Sequence, residues 1–339
     1  MPQDTRWIDA AGLTIEGRGW DDAAPWTRLP DRAKALVRPP VWDLSRNAAG
    51  IAVRFLAKGK TVRIQWTVTE KQGEWPHFPA SARSGVDLYA RDAKGRWRFV
   101  QVGIPRDVAN ETSATFADAA PRECLLYAPL YNGLRTLAVA GDTPDAIAPA
   151  PPRAEPRRRP FVVYGTSIVQ GGCASRPGMA WPSILSRALD RPVVNLGFSG
   201  NGWIDPEMAA LIAELDPEFT LVDCLWNCGH LPAGELERRI ETLARTLRTA
   251  RPSTPILFVG QSMARVAPGE NELSRRQEAV VKRLRRAGIP GLHLAPGRPL
   301  NGFDDEATVD TVHPSDLGMV RHAEALLPVV RRFVARPTA

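Results

Sequence analysis

The chain has 339 residues, 44% of them hydrophobic and 24% charged, with a formal net charge of +7 and a pI near 9.6. That composition excludes a disordered or fibrous chain and leaves room for two folded units, each with its own core. No apolar run approaches the ~20 residues a membrane-spanning helix needs, so no membrane partner is expected.

The first residues, Met1 to Trp7, lack the apolar core of a signal peptide, and the cytoplasm is the expected compartment. From there to residue 143 the pattern is short and strand-like. Candidate strands lie at 51–55, 61–66, 86–89, 97–102 and 134–139, several alternating apolar and polar residues, the period-two signal of half-buried sheet. Turn residues such as Lys58-Gly59-Lys60 and Lys94-Gly95-Arg96 separate them, and no long helix is evident. An all-β sandwich over residues 1–143 is expected.

Composition shifts at residues 144–160, where Pro144, Pro149, Pro151, Pro152, Pro156 and Pro160 are interleaved with alanine and arginine. Such a stretch reads as an extended, semi-rigid connector. It also holds the one dense basic run, Arg157-Arg158-Arg159, which reads as a solvated linker. The remaining arginines are dispersed and no aromatic-interleaved motif accompanies them, so no nucleic-acid partner is expected.

Residues 161–339 alternate strands with helices. Apolar runs at 161–164, 193–196, 221–225, 256–259 and 292–294 read as buried parallel strands. Met208, Leu211, Ile212 and Leu215 share a helical face, as do Leu236, Ile240, Leu243 and Leu247. A third helix is expected from about Leu273 to Ala287, capped by Gly288, and a last one from about Leu317, interrupted near Pro328. This alternation predicts an α/β unit, a three-layer doubly wound parallel sheet with ligands at the carboxyl ends of its strands.

The chemistry concentrates at that edge. Ser167 lies just past the first strand, and Asp310-Thr-Val-His313 supplies an acid and a histidine three residues apart. On one helical turn such a pair lies on one side, so the carboxylate can hold Nδ1–H while Nε2 faces a hydroxyl. The order Ser…Asp…His is a recurrent triad arrangement. Of the five histidines, only His313 combines a carboxylate at this spacing with a place in a loop just before a helix; its competing reading is a surface histidine capping that helix. Gly200, in the glycine-rich turn after the second strand, and Asn227, after the third, are candidate oxyanion donors together with the Ser167 N–H. Cys124, Cys173, Cys224 and Cys228 form no zinc-ligand spacing and read as reduced, mostly buried thiols.

Gly165-Thr-Ser167, Gly200, Asn227 and Asp310-x-x-His313 resemble the four blocks of the SGNH hydrolases, or GDSL-type esterases, over residues 161 to the C-terminus. The resemblance implies a flavodoxin-like fold with Ser167 as nucleophile, His313 as base and Asp310 as its orienter. It also implies an oxyanion hole formed by the N–H groups of Ser167 and Gly200 and the Asn227 side chain. Thr166 stands where the family usually has aspartate, and Leu225-Trp-Asn-Cys228 replaces Gly-x-Asn-Asp. Upstream, Gly85-Val-Asp87-Leu-Tyr89 is similar to the GxDLY motif of an N-terminal β-domain found in one subgroup, often linked to carbohydrate esterases.

The expected function is a serine esterase acting on a small-molecule or oligosaccharide ester, removing a small acyl group such as acetyl, with no metal or organic cofactor. An acyltransferase using the same acyl-enzyme and a non-catalytic carbohydrate-binding protein are the alternatives. Gln170, Arg176, Asn201, Trp203, Met263 and Arg265 are candidate substrate contacts, with ordinary loop packing as the competing reading for each. The N-terminal unit is expected to pack against the catalytic one, with loop residues 127–132 near the pocket.

Overall fold

The structure, a computed structural model, describes residues 6–71, 75–262 and 272–334. Its N-terminal part holds two antiparallel sheets. One runs in the order Ile8–Asp9, Leu134–Ala140, Thr61–Val68, Ala109–Thr115; the other runs Ile147–Pro149, Ala52–Ala57, Arg122–Tyr127, Val86–Arg91, Trp97–Gly103, with Thr14–Glu16 also pairing on Ala52–Ala57. Alternation explains how they meet. Val62, Ile64, Trp66 and Val68 point inward from one strand and join Val53, Phe55, Leu88, Cys124 and Leu126 of the other sheet in a single apolar core. Each such side chain stabilises the fold by about 1.5–3 kcal/mol relative to an exposed one.

The proline-rich stretch departs from expectation. Ile147–Pro149 pairs antiparallel with Ala57 to Phe55, adding an edge strand to the N-terminal sheet. The arginines that follow are anchored rather than simply solvated: Arg153 pairs with Glu16 and Asp190, Arg157 with Asp190, and Arg159 with Asp216.

The C-terminal part is built on a five-stranded parallel sheet of Phe161–Gly165, Val193–Gly197, Thr220–Asp223, Ile256–Val259 and Leu292–Ala295, in the spatial order second, first, third, fourth, fifth. Successive residues of these strands feed two separate cores. Val162, Tyr164, Val222 and Phe258 join helices Pro206–Ala213, Glu235–Ala250 and Glu272–Arg286, whereas Phe161, Val163, Leu221 and Leu257 join Trp181–Leu189 and Asp316–Val330. The chain reverses direction across the sheet after its second strand, and the crevice so formed lies beside the carboxyl end of the first, where Ser167 stands.

The last helix is not broken at Pro328 but continues to Val330, since only the missing Pro328 N–H is lost from its final turn. Both cores also reach into the N-terminal part. Trp20, Leu29, Val37 and Val41 pack in the first, and Ala49, Phe78, Ala82, Leu130 and Tyr131 in the second. Among the described residues, no helix is long and apolar enough to cross a membrane.

Candidate active site

Ser167 opens the short helix Ser167–Gln170, directly after the first parallel strand. Thr166 caps that helix, its Oγ1 accepting from Ile168 N at 3.3 Å, and Gly171 ends it with φ of 109°. Aspartate, the residue of the family pattern, caps a helix in the same way, so Thr166 keeps a capping oxygen at this position. Ser167 N–H lies in the first turn, where amides have no intrahelical acceptor.

Ser167 Oγ is 2.9 Å from His313 Nε2, and His313 Nδ1 is 2.7 Å from Asp310 Oδ2. The acid and histidine do not share a helical turn as the spacing suggested. They sit in a bend ahead of the helix Asp316–Val330, with Thr311 left-handed at φ 73°. Asp310 Oδ1 closes that bend by accepting from Val312 N at 3.0 Å and His313 N at 2.7 Å. Partial burial opposes the Asp310 charge, but the His313 and Val312 donors outweigh it and hold the carboxyl below its ordinary range. A carboxylate that stays ionised fixes the histidine tautomer, with Nδ1 protonated and Nε2 free to accept.

The loops after the second and third strands close around the serine. Gly202 packs its backbone against Gly165 and Thr166, where a Cβ would collide with the Gly165 carbonyl. Gly202 N donates to Asn227 Oδ1 at 3.2 Å. Only an oxygen can accept from an amide, so this contact sets the Asn227 side chain with its NH₂ available; among the described residues nothing accepts from it. Gly200 is left-handed at φ 69° and has open space where its Cβ would stand. Buried Gln170 supports this turn, accepting from Ser199 N at 3.0 Å and donating to Leu130 O at 3.1 Å.

Gln170 is therefore committed on both sides and is not placed to touch a substrate, contrary to expectation. Arg176 is also corrected. Its Nη1 reaches Asp87 Oδ2 at 2.7 Å and Tyr89 Oη at 2.6 Å, and its guanidinium lies 3.9 Å from the centre of the Phe99 ring. Asp87 Oδ2 accepts from Gly178 N as well, at 2.8 Å. The acid and tyrosine of the upstream motif thus clamp the loop that follows the helix Ser167–Gln170. Ser175, next in that loop, donates to Asp316 from N at 2.8 Å and from Oγ at 2.5 Å, three residues after His313. Asn201 is held by Arg38, which donates to its Oδ1 at 2.7 Å and its carbonyl at 2.9 Å. Trp203 anchors the same turn, its Nε1 donating to Gly200 O at 2.8 Å, and it carries the Arg38 guanidinium 3.5 Å from a ring centre. Met263 and Arg265 lie outside the described residues.

The N-terminal part brings further residues here, of which Trp75, His77 and Phe78 were not singled out from the sequence. Tyr131, within the loop expected to border the pocket, donates to Ser167 O at 3.3 Å and packs edge-on against Phe78 and Trp75. His77 Nε2 lies 3.9 Å from Asp310 Oδ2, beyond hydrogen-bond reach. The short run Trp75-Pro-His-Phe78 was the available signal, but its contacts span more than 200 residues of chain.

The GDSL-like lipase/acylhydrolase family model matches residues 158–331, and GxDLY, the N-terminus of SGNH-hydrolase-type esterases, matches residues 5–147. No curated protein matches the chain. A crystal structure from Bacteroides ovatus ATCC 8483, named a GDSL-like lipase, is 30% identical with a TM-score of 0.86, covering 97% of this chain and 98% of its own. The salicylyl-acyltransferase SsfX3 of a tetracycline biosynthetic pathway has a TM-score of 0.76 at 16% identity, with 99% of each chain covered. A family two carbohydrate esterase from Clostridium thermocellum, in complex with cellohexaose, has a TM-score of 0.61 at 12% identity, covering 84% of this chain and 92% of its own. The chain belongs to the GDSL-like lipase/acylhydrolase family, as a hydrolase of ester bonds whose parallel α/β unit follows an N-terminal GxDLY domain of antiparallel sheet.

Proposed function

We propose that the protein is a serine esterase that removes a small acyl group, such as acetyl, from a carbohydrate or polyol through Ser167, His313 and Asp310. The observation that carries this reading is the unbroken line of hydrogen bonds from Ser167 Oγ through His313 to Asp310 Oδ2, at 2.9 and 2.7 Å. His313 Nε2 takes the Ser167 proton as Oγ attacks the ester carbonyl, and Asp310 stabilises the imidazolium that forms. The tetrahedral oxyanion is met by the N–H groups of Ser167 and Gly200 and by the Asn227 amide. His313 then protonates the departing alcohol, and water repeats the cycle to release the acid.

The carbohydrate part of the proposal draws support from the fold shared with the cellohexaose-bound esterase and from exposed Trp75 beside Tyr131, an aromatic face suited to a sugar ring. The same reading takes the N-terminal unit as a β-sandwich and the catalytic unit as three layers, divided within residues 144–160. Acyl transfer to a second alcohol is the competing reading, favoured by the shared full-length architecture with the acyltransferase. Both are tested by a panel of nitrophenyl esters and acetylated oligosaccharides, with and without added acceptor alcohols. Ser167→Ala is expected to lower kcat by about 10⁴ or more. Near-normal turnover by folded Ser167→Ala discards the mechanism, and acceptor-dependent product replaces hydrolysis with transfer.

A further inference from the structure

We propose that His77, Cys173 and His313 form a binding site for a thiophilic divalent cation, zinc foremost, and that its occupation shuts the esterase off. The proposal rests on the reading of His313 as the catalytic base. No zinc pattern is visible along the chain, because the three residues are separated by 96 and 140 positions. In space one ring nitrogen of each histidine and the Cys173 Sγ all lie within 4.8 Å of one another. In a tetrahedral site, bonds of ~2.0–2.1 Å to nitrogen and ~2.3 Å to sulfur place two ligand atoms of one zinc about 3.3–3.6 Å apart. Metal binding therefore draws the three groups together by about 1 Å, and the exposed His77 side chain, which no hydrogen bond restrains among the described residues, is free to supply much of that movement.

The donor set is that of a borderline-soft metal, two imidazoles and a thiolate, leaving a fourth position for water. Asp310 Oδ2 stands 3.9 Å from His77 and 2.7 Å from His313, adding negative charge beside the cation. Cys173 is held in this position by a left-handed backbone, φ 69°, that a non-glycine residue rarely adopts. Burial, together with the Asp310 charge, pushes its thiol up to about 12, so it is an inert thiol until a metal displaces its proton to solvent. The consequence for catalysis follows from His313 itself. Coordination uses an imidazole lone pair, and once that pair is on the metal the ring can no longer take the Ser167 proton. Neither His77 nor Cys173 contacts Ser167 Oγ or belongs to the relay.

The test is a zinc titration of small-ester hydrolysis by the full chain, with EDTA reversal, in the native protein, His77→Ala and Cys173→Ser. Native enzyme should lose activity and regain it with chelator. Both variants should keep their basal rate and need ~100-fold or more zinc for half-inhibition, since even outer partners of a metal ligand are worth about 10–100-fold in affinity. Cobalt(II) added to the native protein should give a thiolate-to-metal absorption band in the near ultraviolet that Cys173→Ser lacks. If Cys173→Ser does not fold, His77→Ala and the native cobalt spectrum decide the matter. No inhibition by zinc, equal inhibition of native protein and His77→Ala, or cobalt binding without the thiolate band overturns the proposal. A protein that shows the cobalt band but hydrolyses no ester keeps the metal site and refutes the esterase reading instead.

Discussion

Removing Arg176 tests the clamp between the two halves of the chain. Asp87 has no solvent exposure, and its Oδ2 has two donors, the Arg176 guanidinium and Gly178 N. Burial works to raise the Asp87 carboxyl above its ordinary range, with Arg176 as the main opposing charge. Arg176→Ala strands that carboxylate, and breaking one side of a buried pair costs about 3–5 kcal/mol. Asp87→Ala is milder, because the Arg176 side chain is 18% exposed and keeps Tyr89 and the Phe99 face; an unpaired Gly178 N–H costs about 1–3 kcal/mol. The double variant no longer carries a stranded charge, so it should be no less stable than Arg176→Ala, giving a coupling at least as large as the Asp87→Ala cost, about 1–3 kcal/mol. Stability is read by urea titration of tryptophan fluorescence. A second signature is pH: in Arg176→Ala the folded pKa of Asp87 lies above its unfolded value. The folded state then binds more protons, so the variant is relatively favoured near pH ~4 and loses stability as pH rises through that folded pKa. Additive single costs, within about 0.5 kcal/mol, or a deficit that does not change with pH, refute this account of the motif.

Three further outcomes follow from the geometry. Asn227→Ala should lower kcat by about 10²–10³ with little change in KM, measured by steady-state kinetics; a change confined to KM makes Asn227 a binding residue. Gln170→Ala should cost about 1–3 kcal/mol in denaturant titrations and lower kcat, because Ser199 N and Leu130 O lose their partner; Gln170→Glu, which still accepts from Ser199, should recover part of the rate. Asp223, wholly buried with one carboxylate oxygen unpartnered, is pushed up to about 7 by desolvation. Its folded pKa is raised, so its stability contribution is present near pH 4 and is lost as pH rises through 7, by up to roughly 4 kcal/mol. Asp223→Asn should therefore raise Tm more at pH 8 than at pH 5, and an equal shift at both sets the buried charge aside.

The parallel sheet was legible because buried strands read as continuous apolar runs and their helices repeat at 3.6 residues; Val162 to Tyr164 and Leu236 to Leu247 declare themselves. Ala109–Thr115 did not, since this edge strand turns mostly half-exposed and exposed residues to either face and carries no apolar period. Ser167, Asp310 and His313 stood out as a hydroxyl, an acid and a base at loop ends, and the fold brings them within hydrogen-bond reach of one another. Roles that depend on pairing across the fold were not readable. Arg176 looks like any loop arginine until Asp87 is beside it, and Gln170 looks like a ligand contact until its amide is seen spanning Leu130 and Ser199. The nearness of His77 to Asp310 was equally unreadable, since it depends on Phe78 and Tyr131 packing onto the C-terminal core.

That shared packing bears on how such a protein can be inherited and rearranged. Trp20, Leu29, Val37 and Val41 lie with Tyr164, Phe198 and Met208, so part of the hydrolase interior is supplied by residues that precede its first parallel strand by well over a hundred positions. Arg28 extends the dependence to the backbone, donating to the carbonyls of Asn195 and Gly197 at the end of the second parallel strand. A recombination event joining residues 161–334 to a different leading segment would deliver every member of the relay and still expose a broad apolar face. The two halves thus share one interior, and a hydrolase unit moved without its leading segment would need a new cover for that face.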